Sequence, residues 1–255
     1  MPLDLTNTLV VGISTTALFD MSESDQIFRD ALKNDPDQAI ELFRSYMRKH
    51  EDIPLEPGTG FPLVSALLGL NQYKLPDESP LVEVVVMSKN SPDTGLRVLN
   101  SIRNHKLDIT RSAFTAGESA ADYVDAFGVD LFLTTDANDA QKVIDSRHCA
   151  AAILKPPPRD STPIPEGQVR IAFDGDAVLF SDESELVYKT QGMVAFHAQE
   201  DAMQNTPMAE GPYAALLKKL AKLQDRLPMR VIKTLRAWGV YVDEAFFLGG
   251  LGKSE

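Results

Sequence analysis

Cysteine is nearly absent: Cys149 is the only one in 255 residues. No internal disulfide can form, which fits a reducing compartment. The run Ala150-Ala151-Ala152 beside it marks a buried structural thiol rather than a nucleophile. No apolar run approaches the ~20 residues of a membrane-spanning helix. No basic stretch leads into an apolar core of the kind that opens a secretory signal. A cytoplasmic protein without membrane attachment is therefore expected. Basic blocks are lacking as well. Lys and Arg number 25 against 37 Asp and Glu, a net charge of −12, which argues against a nucleic-acid polymer as partner. His50, His105, His148 and His197 are isolated, without the paired spacing of a zinc site. The negative total does not exclude a phosphate substrate, because local charge and a bound metal decide that.

Against these absences stands one concentrated signal, Val169-Arg170-Ile171-Ala172-Phe173-Asp174-Gly175-Asp176-Ala177-Val178-Leu179-Phe180. An apolar strand runs straight into two aspartates one residue apart. Side chains at i and i+2 of a strand point the same way, so Asp174 and Asp176 can aim at one point near the strand's carboxyl end. Open α/β sheets place their ligands there. Two converging carboxyl groups suit a hard cation and phosphate chemistry, one attacking or binding metal while the other moves protons.

Prolines divide the chain. Residues 155–167 hold five of them, which blocks helix and central strand alike and predicts an extended, stiff connector. It separates a longer unit, 1–154, from a shorter one, 168–255. In the first unit, strands are expected at 8–13, 82–87, 112–115 and 130–133. Helices are expected at 25–32, 37–47, 61–70, 91–103, 119–127 and 138–146. This alternation predicts an α/β fold, a right-handed and mainly parallel sheet with helices on both faces. The second unit repeats the pattern with a strand at 169–173, helices at 183–189, 193–203, 213–223 and 231–238, and a strand at 245–248. The acids of Asp182-Glu183-Ser184-Glu185 open the first of these helices, where the positive dipole end favours them. Residues 97–117 align without a gap on 230–250, with Arg97/Arg230, Val98/Val231, Arg103/Arg236, Phe114/Phe247 and Gly117/Gly250 identical. A tandem duplication is the corresponding expectation. Superposing the two Leu-Phe pairs, Leu18-Phe19 and Leu179-Phe180, puts Ile13 and Thr15 in the slots of Asp174 and Asp176, so the first unit would be a non-catalytic copy.

The pattern D-x-D-x-[TV] after a strand resembles the first motif of the haloacid-dehalogenase (HAD) phosphohydrolase superfamily. The longer FDGDAVLFSDESE is similar to the cytosolic 5′-nucleotidase I family. Further blocks resemble that family in the same order: Ser14–Met21, Val84–Asn90 with Gly95–Ile102, Pro207–Pro212 and Thr234–Gly239. The resemblance implies a HAD-like, Rossmann-like sheet with helical cap insertions. It also implies magnesium-dependent hydrolysis of nucleoside 5′-monophosphates. Asp174 would then be the nucleophile that becomes an aspartyl-phosphate, and Asp176 the acid and base. Magnesium would bind at Asp174 and Asp176, and Lys253, in Gly249-Gly250-Leu251-Gly252-Lys253, would neutralise the phosphate.

Two parts of the superfamily's set have no counterpart. The second-motif Ser or Thr should end a strand after the cap helices, yet Gln224–Met229 leads directly into Arg230-Val231-Ile232. The fourth motif, an acidic pair, should follow Lys253, and the sequence stops at Glu255. The expectation is a family member lacking an internal segment after Met229 and the C-terminal end, either an incomplete form or a true variant. Its exposed strand edges would favour instability or homo-oligomerisation. Ser88-Lys89-Asn90 follows a strand and resembles a Ser/Thr second motif inside the first unit. Ser88 and Asn90 are thus either phosphate or nucleotide ligands or part of a helix cap at Ser91. Glu118, Asp136 and Asp139 read as cap or surface carboxylates. Ser14-Thr15-Thr16 lacks the glycines and lysine of a phosphate loop. The alternative to a 5′-nucleotidase is a non-catalytic nucleotide-binding or interaction protein derived from the same family.

Overall fold

A computed structural model describes residues 5–156, 169, 171, 180–211 and 213–224. Five short strands form one sheet: β1 (Leu9–Ser14), β2 (Val82–Ser88), β3 (Arg111–Phe114), β4 (Leu131–Thr134) and β5 (Ala150–Ile153). Their order is β3-β2-β1-β4-β5 and all four pairings are parallel. The central strands are apolar because both faces are covered, and every residue of β1 and β2 is buried. Alternation along β1 divides the core. Leu9, Val11 and Ile13 pack with Val82, Val84 and Val86 on one face, and Val10 packs with Val85 and Met87 on the other.

Helix α1 (Thr15–Leu18) turns directly off β1. Helices α2 (Ser22–Asn34), α3 (Ala39–Lys49) and α4 (Phe61–Gly69) are inserted before β2. Helix α5 (Pro92–Asn104) follows β2, and Val98 and Ile102 bury against the first face. The opposite face is closed by α6 (Ala137–Ser146) through Ala140 and Val143. Among the described residues no helix is long and apolar enough to cross a membrane.

The expected α/β alternation is present, with two local differences. Residues 119–127 form one 3-10 turn, Ala120–Asp122, instead of a full helix. The chain must enter β4 within a few residues, so Val129 N–H returns to Val124 O at 2.9 Å and Gly128 adopts φ +64. Strand β5 has little local signal, since an alanine run has weak strand preference; β4 supplies the missing partner through pairs such as Phe132↔Ala151. The expected strand 169–173 and the elements at 231–238 and 245–248 lie outside the described residues, apart from Val169 and Ile171. So do residue 230 onward of the proposed duplication and the junction after Met229.

Beyond the proline-rich connector, α7 (Glu183–Gln191), α8 (Met193–Met203) and α9 (Ala214–Gln224) follow the expected periodicity. Helix α9 packs on the first unit. Leu216 and Leu223 enter the core with Leu9 and Val11, and Tyr213 Oη donates to Ala151 O. Lys219 Nζ donates to Asp130 Oδ2 at 2.7 Å and to Thr8 O at 2.9 Å, while Asp130 Oδ2 also accepts Val10 N–H at 2.9 Å. Residues on both sides of the connector therefore share one core.

Gly58 shows how tightly the β1–α1 junction is braced. Its N–H donates to Leu18 O at 2.9 Å, and a Cβ there would stand 2.8 Å from Ala17 O and Phe19 C. Backbone cannot yield as a side chain does. Gly58→Ala should lower the unfolding free energy by about 2 kcal/mol, read as a lower denaturant midpoint with an unchanged m-value. An unshifted midpoint would show that the loop is not clamped to α1.

Candidate functional site

In this strand order the chain winds from β1 outward through β2 to β3 and then crosses to β4 and β5. The reversal leaves a crevice beyond the carboxyl ends of β1 and β4, the place where open sheets of this kind receive ligands. Hydroxyl groups line it. Thr16 Oγ1 lies 3.3 Å from Ser14 Oγ and 3.3 Å from Thr135 Oγ1, so a chain of three hydroxyls crosses from β1 to β4.

Beside it, under the end of β2, is a cavity of about 190 Å³ whose walls include Thr15, Ser88, Lys89, Asn90, Met21 and Met87. Thr16, Met21 and Asp25 are shared with an adjoining cleft of about 420 Å³ that runs along α1 and α2 to Arg29. Ser88 Oγ accepts Asn90 N–H at 3.2 Å, a turn that holds the Asn90 amide over the cavity. Thr15 is only 4% exposed. Its Oγ1 and the Asn90 Nδ2 are both buried without a hydrogen-bond partner.

Acidic groups are accounted for individually. Asp136 caps α6, its Oδ1 accepting Asn138 N–H at 2.8 Å and Asp139 N–H at 3.0 Å. Asp139 receives Lys89 Nζ at 2.5 Å. Burial pushes the Asp25 carboxyl above its ordinary range, against the opposing pull of Arg29. Asp20 is held below the ordinary range by its bonds from Ser22. Among the described residues no group of three or more His, Cys, Asp or Glu side chains could hold a metal ion. His50 and His105 instead meet the backbone carbonyls of Tyr46 and Leu55, each at 2.8 Å.

The sequence-derived candidates separate cleanly. Ser88 and Asn90 come together at the cavity under the end of β2; the cap at α5 belongs to Ser91, whose Oγ accepts Thr94 N–H. Asp136 is the cap it was expected to be, whereas Asp139 is an ion-pair partner of Lys89. Asp174, Asp176 and Lys253 lie outside the described residues. Thr15 and Thr16 form no phosphate-loop motif. Their signal was the superposition that sets Thr15 in the slot of Asp176.

Cys149 is not part of this site. It packs against the core of the second face, and desolvation, aided by Asp130, pushes its thiol up to about 12. At pH 8 only about one molecule in 10⁴ then carries the reactive thiolate. Alkylation of the folded protein should be roughly 10³-fold slower than in denaturant; equal rates would mean that the thiol is not desolvated.

Comparison with known proteins extends these observations. The 5′-nucleotidase family model matches residues 1–229 and again 228–255. The match divides where the sequence leaves no room for a second-motif strand. Cytosolic 5′-nucleotidase 1B of Homo sapiens is 32% identical over 275 aligned residues, covering 97% of this chain and 44% of its own length. The chain thus spans less than half the length of that relative, and the alignment, longer than the chain, leaves positions of the relative without a counterpart here. No solved structure matches the chain. Its sheet is the Rossmann-type arrangement expected of a HAD-like fold, and the chain belongs to the 5′-nucleotidase family, on the cytosolic I branch.

Proposed function

We infer that the protein hydrolyses nucleoside 5′-monophosphates to nucleoside and phosphate. The observation that carries this reading is the Asp174-Gly175-Asp176 sequence within a chain that the 5′-nucleotidase family matches along its length. Asp174 attacks phosphorus as the bond to the 5′-oxygen breaks. Asp176 gives its proton to that oxygen, and the nucleoside leaves. A water molecule then yields a proton to Asp176 and attacks the aspartyl-phosphate, which releases phosphate and restores the Asp174 carboxylate. Lys253 sets a positive charge against the phosphoryl oxygens.

The donor set of two carboxyl groups suits magnesium, which Asp174 and Asp176 would hold. When bound, the ion offsets the repulsion between a carboxylate and a phosphate dianion. Ser88 and Asn90 are assigned to phosphate or nucleotide contacts within the first unit. A cytoplasmic setting agrees with the cytosolic relative.

The direct test is phosphate release from a panel of nucleoside 5′-monophosphates. Release with magnesium that stops on chelation and returns on adding the metal back is expected. A folded protein that releases no phosphate under any of these conditions would favour the non-catalytic nucleotide-binding reading.

A further inference from the structure

The cavity beneath the carboxyl ends of β1 and β2 contains polar groups that the fold does not use. Buried polar atoms are nearly always bonded, and leaving one unpaired costs free energy. Two unpaired groups, Thr15 Oγ1 and Asn90 Nδ2, line the same cavity at the edge of the sheet where ligands bind. Neither is needed to close a turn or cap a helix. Ser88, 5% exposed, supports Asn90 from below. Lys89 stands at the rim, and its ammonium has three N–H donors, one of which goes to Asp139.

We propose that this cavity is a binding site in its own right, which takes the phosphoryl group of a phosphate monoester and holds it without hydrolysis. Thr15, Asn90 and Lys89 supply a hydroxyl, an amide and an ammonium donor, the groups that recognise phosphoryl oxygens. The strand end offers no carboxylate nucleophile for hydrolysis: the last positions of β1 and the first of α1 are Ile13, Ser14 and Thr15.

The carboxylates nearby do not oppose this assignment strongly. Asp25, Asp136 and Asp139 also line the cavity; Asp136 is engaged with the α6 backbone, Asp139 with Lys89, and Asp25 lies in the field of Arg29. The cavity is too small for a whole nucleotide, since pockets for molecules of that size run to roughly 300–1,000 Å³. The adjoining cleft of about 420 Å³, entered past Thr16 and Met21, provides room for the remainder of the ester. The choice of a phosphate ester rests on the 5′-nucleotidase reading; the existence of a site rests on the cavity and its unpaired donors.

Met21 and Met87 line the cavity and report on it directly. The test uses the 255-residue chain with Asp174→Asn, labelled at the methionine methyl groups. Resonances are assigned through Met21→Leu and Met87→Leu. Adenosine 5′-monophosphate, inorganic phosphate and adenosine are titrated separately. The monophosphate should shift both methyl signals. Inorganic phosphate should shift Met87 and compete, which would also mark the free ion as a natural occupant; phosphate that does neither overturns the phosphoryl assignment. Adenosine should leave both signals in place.

Thr15→Val, or Asn90→Asp should the first variant fail to fold, should weaken binding at these signals by ~10-fold or more. Signals that do not move, adenosine that moves them equally, or unchanged binding in a folded variant would overturn the proposal. Turnover separates this result from the functional reading. Shifts at Met21 and Met87 in a protein that shows no Asp174-dependent hydrolysis would leave this site standing and remove the enzyme. Asp174-dependent hydrolysis with unmoved methyl signals would do the reverse.

Discussion

Asp174→Asn is expected to reduce phosphate release by roughly 10⁴-fold or more while leaving the unfolding transition in place. An amide is a poor nucleophile and a poor ligand for a hard cation, so the substitution removes the attacking group and weakens the metal site together. The test is sharpest against Asp176→Asn. That variant keeps the nucleophile but removes the proton donor and acceptor, so both formation and hydrolysis of the aspartyl-phosphate slow. Quenched samples distinguish the two. Asp174→Asn should carry no acid-stable, base-labile phosphate on the protein, whereas Asp176→Asn should retain a trace. Unchanged turnover in Asp174→Asn would reject the assigned nucleophile, whatever the family.

The second large effect concerns the docking of α9. Asp130 accepts from Val10 N–H and from Lys219 Nζ, and Lys219 also bonds Thr8 O. Val10 is fully buried. Asp130→Ala would strand the Val10 N–H and leave the Lys219 ammonium with Thr8 O alone, and breaking such a partly buried pair costs about 3 kcal/mol. For a domain of this size the midpoint of thermal unfolding should fall by roughly 6–12 °C. Lys219→Met should cost less, because Asp130 keeps its bond from Val10 and the methionine can pack along the same path. A double variant that costs clearly less than the two single losses combined would identify the interaction as direct. If Asp130→Ala unfolds at the wild-type temperature, α9 does not anchor to the first unit in the way its contacts indicate.

Much of the architecture follows from periodicity within the chain. The β-branched runs that become β1 and β2, the amphipathic spacing of α2, α3, α5 and α6, and the acids opening α7 are local properties, readable without knowing what each element touches. Strand β5 was hidden because alanine carries little information about strand formation, and its existence depends on the free edge of β4. Spacing predicts a longer helix where Ala120–Asp122 forms a 3-10 turn, because it cannot show that the chain has to reverse at Gly128 within a few residues. Tyr213, Leu216 and Lys219 lie past five prolines that signal separation, yet they meet Ala151 of β5, the core around β1 and Asp130 just before β4. A stiff connector constrains the path of the chain; it says nothing about which surfaces meet afterwards.

The chemistry divides in the same way. Asp174-Gly175-Asp176 is visible in the sequence because its residues are adjacent, and on a strand a two-residue period would turn both carboxyl groups to one side. That spacing and the family-like blocks around it determined the fold class and the proposed reaction. The second cavity could not be found so. Thr15, Ser88, Lys89 and Asn90 stand at the ends of two strands, Thr15 and Ser88 more than 70 positions apart, and none belongs to a phosphate-binding motif. They meet because β1 and β2 pair in parallel with Ser14 opposite Met87, which brings both carboxyl ends to one edge. That two donors there lack a partner is a property of packing alone: hydrogen-bond capacity is written in each residue, but whether it is used depends on every neighbour that folding brings within reach.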